Sequence, residues 1–146
     1  MIVNTILGNI KSYDVKDLTV HLVRISPDDR LKHIVRVKSD NGIEIGICLE
    51  SGHLHNGDVL AEDGGAIYVV DFLPQKVIII KTTNPMEMGF VAHSIGNRHT
   101  PAVFEDGMMI IEDDYLIAKW LEEHNVPYER CEKVLHHALK HASHQH

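Results

Sequence analysis

Val77-Ile78-Ile79-Ile80-Lys81-Thr82-Thr83-Asn84-Pro85-Met86-Glu87 decides how the second half of this chain is read. Four consecutive β-branched residues predict a central strand buried on both faces, because no polar position interrupts the run. Asn84 then suits a helix N-cap, Pro85 suits the first helical position, and Glu87 stands where a capping box is answered. Met88, Val91, Ala92 and Ile95 follow on one face at helical spacing, and Gly96-Asn97 offers a stop. Two strands, Pro101 to Glu105 and Met108 to Glu112, flank the two-residue hairpin signal Asp106-Gly107. Asp113 or Asp114 can cap a second helix whose buried stripe is Ile117, Trp120 and Leu121, ending before Asn125. Val126 to Lys133 reads as a last, weaker strand. The order is β-α-β-β-α-β, the split βαβ arrangement of ferredoxin-like domains.

Upstream of Leu73-Pro74 the pattern differs. Ile43, Ile45, Ile47 and Leu49 alternate with Glu44, Gly46 and Cys48 after an Asn41-Gly42 turn, the period of a half-buried strand. Weaker alternation recurs at Val20 to Ile25, Ile34 to Lys38 and Ile67 to Phe72, with Asp28-Asp29, Asn56-Gly57-Asp58 and Gly64-Gly65 as punctuation. No helical period of useful length appears there. The chain is therefore expected to be α+β: residues 1–73 a small all-β domain, residues 74–134 a ferredoxin-like domain, and residues 135–146 a flexible histidine-rich tail.

The formal charge of −7 disfavours nonspecific attraction to nucleic acid or anionic membranes and favours cations as ionic partners. The two cysteines, Cys48 and Cys131, form neither a Cys-x-x-Cys pair nor a disulfide framework, and are expected to be reduced residues of the core or of strands. Met1 to Gly8 lacks the basic segment and cleavage site of a signal peptide, and no apolar run approaches membrane-spanning length, so a cytoplasmic address is expected.

Candidate chemistry lies in the 12 histidines. Five of them crowd His136 to His146, and the irregular ending His141-Ala142-Ser143-His144-Gln145-His146 is unlike a homopolymeric tag. Neutral imidazole suits nickel, zinc and copper, and histidine-rich tracts read as metal sites. In extended chain His144 and His146 point the same way and can close on one ion, with the terminal carboxylate at hand. In helical chain His137 and His141 share a face. His99 instead stands on a structured corner, between the helix stop in Gly96-Asn97-Arg98-His99 and the strand beginning at Pro101. Taken alone it is a weak metal signal, since a lone histidine at an element end is more often a surface or capping residue; a twofold axis that paired two copies would change that. His93, one turn before the helix stop, can face solvent or metal. His21, His33, His53, His55 and His124 read as solvated surface, the two-residue spacing of His53-Leu54-His55 in a turn-rich segment being a weak ligand signal.

Ile95-Gly96-Asn97-Arg98-His99-Thr100 before Pro101 resembles the signature of UreE, the urease accessory protein family that carries nickel to the urease active site. The likeness extends to Ile6-Leu7-Gly8, Asn41-Gly42, Gly57-Asp58-Val59-Leu60, Met86-Glu87-Met88-Gly89 and the histidine terminus containing Gln145, and so covers nearly the whole chain. The resemblance implies an N-terminal β domain similar to a chaperone peptide-binding module and a C-terminal ferredoxin-like domain that pairs in a homodimer. It further implies a nickel site shared by His99 of two subunits, with His144 and His146 as tail ligands and urease apoprotein and other urease accessory proteins as partners. Some relatives carry a further histidine pair where this chain has Glu112-Asp113-Asp114-Tyr115, so no second internal site of that kind is expected.

Two other classes compete with a nickel metallochaperone. A metal-dependent hydrolase would use the same histidines around a polarised water, but needs a preformed pocket and a neighbouring base. His-Glu-x-x-His, Gly-x-Ser-x-Gly and phosphate-cradling glycine loops are absent from the sequence. A peptide-binding module with incidental metal affinity is the other alternative. Ni(II) is the expected cargo, and Zn(II) or Cu(II) suit the same donors in vitro.

An imidazole site must compete with protons below about pH 6.5, whereas carboxylates stay ionised to about pH 4. Nickel affinity measured by titration calorimetry from about pH 8 to about pH 5 should therefore fall steeply, by up to about tenfold per histidine ligand per pH unit below that value. A flat profile would assign the ion to carboxylates.

Overall fold

The computed structural model describes residues 1–139. The chain divides into two compact units, Met1–Leu73 and Pro74–His146, each described by itself below.

The first unit contains β1 (Ile2–Val3), β2 (Gly8–Asn9), β3 (Thr19–Ile25), β4 (Ile34–Lys38), β5 (Glu44–Cys48), β6 (Asp58–Asp63) and β7 (Ala66–Phe72), with one turn of 3₁₀ helix at Ile10–Ser12. They form a three-stranded sheet in the order β1-β5-β4 and a four-stranded sheet in the order β2-β6-β7-β3. The β4–β5 hairpin turns at Asn41-Gly42, where Gly42 takes φ 87°, a conformation that costs glycine little. Beyond the turn Ile45, Ile47 and Leu49 are buried and Glu44 and Cys48 exposed, the expected alternation; Ile43, at the mouth of the turn, is exposed. Besides the two-residue β1 and β2, β6 is a strand the alternation does not predict. Its pairing with β7 slips between Val59 and Ala61, and Val59 and Leu60 are buried in succession, so the bulge destroys the two-residue period.

The second unit runs β8 (Gln75–Ile80), α1 (Pro85–Gly96), β9 (Ala102–Glu105), β10 (Met108–Glu112), α2 (Tyr115–Glu123) and β11 (Tyr128–Lys133). Its sheet has the order β11-β8-β10-β9 with every neighbouring pair antiparallel, which is the split βαβ topology of a ferredoxin-like domain. β8 is central and buried on both sides. Ile78 and Ile80 face the helices, packing with Val91, Ile95, Met109, Ile111, Ile117 and Leu121. Val77 and Ile79 face the other way and pack with Ile110 and Leu135.

Caps fix the helix starts. The Asn84 carboxamide oxygen accepts from the backbone N–H of Met86 at 2.9 Å and of Glu87 at 3.2 Å, with Pro85 in the first turn. Of the two candidate caps for α2 it is Asp114 that accepts, from Leu116 at 2.8 Å and Ile117 at 3.2 Å. Asp113 is thereby free to take the Arg130 guanidinium in two parallel bonds, from Nε at 2.7 Å and Nη2 at 2.9 Å, tying the end of β10 to β11.

Two expectations need correction. Trp120 is half-buried rather than part of the buried stripe, and Ala118 takes the inward position beside Ile117 and Leu121. The stretch following β11 packs against the sheet: Leu135 is 2% exposed and Ala138 9%, and Leu139 lies against the same cluster. Residues 135–139 therefore cover the sheet face opposite the helices instead of belonging to a flexible tail, with His136 and His137 exposed between the buried Leu135 and Ala138.

Leu135→Ala should lower stability by about 2–5 kcal/mol in chemical denaturation, the range for a truncated core leucine; an unchanged midpoint would mean the segment does not pack. Arg130 holds the Asp113 carboxyl below its ordinary range, so this pair stabilises the fold above the unfolded-state carboxylate pKa, an advantage lost as pH falls through the lowered folded value. Asp113→Asn should be slightly less stable than wild type at neutral pH and equal to it in strong acid, as thermal melts across that range would show.

Candidate metal centre

His99 owes its position to how α1 ends. Val91 and Ile95, 0% and 1% exposed, anchor the last turns of the helix on the sheet. The amides of Asn97, Arg98 and His99 then bond back to the carbonyls of His93, Ile95 and Gly96 at 3.1, 3.0 and 3.0 Å. At His99 the backbone enters the left-handed region, φ 54°, and turns through Thr100-Pro101 into β9. Few side chains adopt that conformation, and histidine is among those enriched there. The result is an exposed imidazole at a corner whose backbone is held on both sides, by a helix end and by a paired strand.

Among the described residues, no three His, Cys, Asp or Glu side chains come together as a metal site. His93, in the last turn of α1, is exposed. His124 caps α2: its Nδ1 lies 2.8 Å from the Trp120 carbonyl, which can only accept, so Nδ1 carries the proton. Its ring also stacks on Trp120 at 4.3 Å between centroids, and Trp120 on Phe90 at 5.7 Å. This aromatic patch joining α1 to α2 is a feature that spacing analysis missed, since Phe90 and His124 fall outside both helical stripes.

His137, expected to share a helical face with His141, is engaged differently. Its backbone N–H donates to Glu105 Oε1 at 2.8 Å, and its ring Nδ1 stands 3.7 Å from the same oxygen. The Glu105 side chain is 4% exposed, so a carboxylate at the end of β9 fastens the segment after β11. His141, His144 and His146 lie outside the described residues. Cys48 and Cys131 are free thiols on β5 and β11.

An exposed imidazole on a rigid corner can supply one ligand to an ion. A family model described as the UreE urease accessory protein, N-terminal domain, matches residues 3–72, and one described as its C-terminal domain matches residues 75–146. Urease accessory protein UreE of Bacillus cereus is 42% identical over the whole chain and 99% of the relative; those of Geobacillus kaustophilus and Staphylococcus epidermidis are each 40% identical with the same coverage. The chain belongs to the UreE urease accessory protein family.

The left-handed backbone at His99 makes a stability prediction separate from metal. His99→Gly should leave stability within about 1 kcal/mol, because relief of strain offsets the freer unfolded chain. His99→Val, β-branched and unsuited to φ 54°, should cost about 1–2 kcal/mol. Equal melting curves for the two variants would contradict the conformation described.

Proposed function

We propose that this protein is a nickel metallochaperone, which binds Ni(II) through histidine imidazoles and hands it over for assembly of the urease active site. Its relatives bear the name urease accessory protein along their full length, which supports urease apoprotein and the other urease accessory proteins as its partners and the cytoplasm as its place of work. The observation that carries the reading is the exposed, conformationally fixed His99, around which no set of three or more ligand side chains gathers among the described residues; a twofold axis would let a second copy bring the same imidazole to one ion. In this reading residues 74–134 bind metal and dimerise, residues 1–73 form the module that meets protein partners, and His144 and His146, with His141 and His137 as further donors, complete the coordination.

A homodimer through the second unit has physical support. Met86 and Phe90, one turn apart on α1, are 84% and 52% exposed, and Phe104 on β9 is 63% exposed, apolar side chains that a second copy could cover. Carriage is favoured over catalysis by the same geometry. A hydrolytic metal centre fixes several ligands around an open position beside a base, whereas His99 stands exposed with no such set converging on it among the described residues. In a carrier, incomplete coordination by one chain is useful, since ligands that exchange easily release the ion to a receiver. Zn(II) and Cu(II) should bind the same donors in vitro.

Titration calorimetry with Ni(II) tests the shared site. His99→Gly should abolish the tightest step, because a single substitution removes two ligands from one ion, while the dimer persists in chelator. A tight step surviving at one ion per chain would refute the shared site. Removing residues 140–146 should lower the number or affinity of ions held without abolishing that step.

A further inference from the structure

The loop before β6 holds two imidazoles against each other. The His53 and His55 ring centroids are 4.7 Å apart with planes inclined at 37°. Leu54 between them is 1% exposed, so it is sunk in the core of the first unit while its neighbours project outward on the same side. The loop around them is clamped at each step. The His55 backbone N–H donates to Asp58 Oδ2 at 2.7 Å, and the Asp58 N–H donates to the His55 carbonyl at 3.1 Å. Asn56 Oδ1 accepts from the Phe72 N–H at 2.9 Å, and the Gly57 N–H reaches the Val70 carbonyl at 2.9 Å. Gly57 sits at φ 85°, a conformation that favours glycine, and a Cβ there would meet the Asn9 and Ile10 side chains at a tight 3.2 Å.

Asp58 does more than hold the backbone. It is 6% exposed, and its Oδ2 stands 3.8 Å from His55 Nδ1. A buried carboxylate on that edge of the ring favours the tautomer protonated at Nδ1 and leaves Nε2 with the lone pair, the outer-shell arrangement that orients metal-ligating histidines. Two imidazole nitrogens sharing one ion at bonds of about 2.0–2.1 Å stand roughly 3 Å apart, which rings already in contact reach by side-chain rotation.

From this geometry we infer that His53 and His55 form a second metal site, on the N-terminal unit, which takes a single borderline divalent cation such as Cu(II), Ni(II) or Zn(II) through two imidazoles, with Asp58 as the residue that positions His55. No third protein ligand converges there among the described residues, so water completes the coordination and the site exchanges its ion readily. It is independent of His99 and stands whether or not the nickel-carrier reading holds. In a protein that transports metal it would be a place where the ion can be picked up or passed on by the unit that the shared site does not occupy.

Paramagnetic broadening locates the ion directly. Cu(II) is added stepwise to the full-length, isotope-labelled protein and amide intensities are followed by two-dimensional NMR. The expected result is loss of the 53–57 amide signals alongside those near His99 and the C-terminal histidines, the 53–57 loss persisting in His99→Gly and abolished in His53→Asn/His55→Asn, whose unchanged Leu54 and Asp58 shifts in the metal-free protein would certify the loop. Zn(II) titration of the same pair of proteins should show one weak binding event fewer per chain in the double variant. Undiminished 53–57 signals in wild type at excess Cu(II), or equal broadening in the double variant, would overturn the site. Loss of the broadening in His99→Gly would likewise overturn it as an independent centre, and would leave the shared-site reading intact.

Discussion

Burial of β8 on both faces is the constraint on which the second unit depends. A strand of Val77, Ile78, Ile79 and Ile80 cannot lie at a sheet edge without exposing apolar surface, so it takes strands on each side and layers above and below. Two helices form one layer and the segment through Leu135 and Ala138 forms the other. Each fully buried side chain of this kind is worth roughly 1.5–3 kcal/mol, far more than any surface ion pair in the unit. The helix α1 is held where Ile78 and Ile80 need cover, and its end therefore fixes the corner at which His99 stands.

The chemistry follows from that placement. On the proposed reading as a metal carrier, the protein must hold its ion tightly enough to keep it and loosely enough to surrender it, and a single imidazole on a rigid corner meets both needs when donors from a second copy or from the tail join it. The buried polar groups serve the scaffold: Glu105 fastens the segment after β11, and Asp58 fastens the loop of His53 and His55. Both are carboxylates that accept a backbone N–H while lying within 4 Å of an exposed histidine ring, at 3.7 and 3.8 Å.

Legibility in the sequence tracked the strength of local signals. The β-branched run, the Asn84-Pro85 cap and the Asp106-Gly107 hairpin each act within a few residues, and all three are found in the structure as read, the hairpin with φ 53° and 73° at its central residues. β6 was hidden because a bulge erases periodicity, and the buried character of Leu135 and Ala138 was hidden because histidines on either side dominate the composition. For Asp113 and Asp114 the choice of cap turned on Arg130, a partner on another strand that no local pattern names. His99 is singled out by its motif, but its left-handed backbone is a tertiary fact. The stacking of His53 on His55 depends on how deeply Leu54 is drawn into the core, which two-residue spacing could suggest and not decide.

Diffraction from crystals of the nickel-loaded protein, collected on both sides of the nickel absorption edge, tests the central claim most directly. The account predicts an anomalous peak on a twofold axis between the imidazoles of His99 from two copies. A loaded crystal whose nickel peak lies elsewhere, with both His99 side chains free of metal, would contradict it.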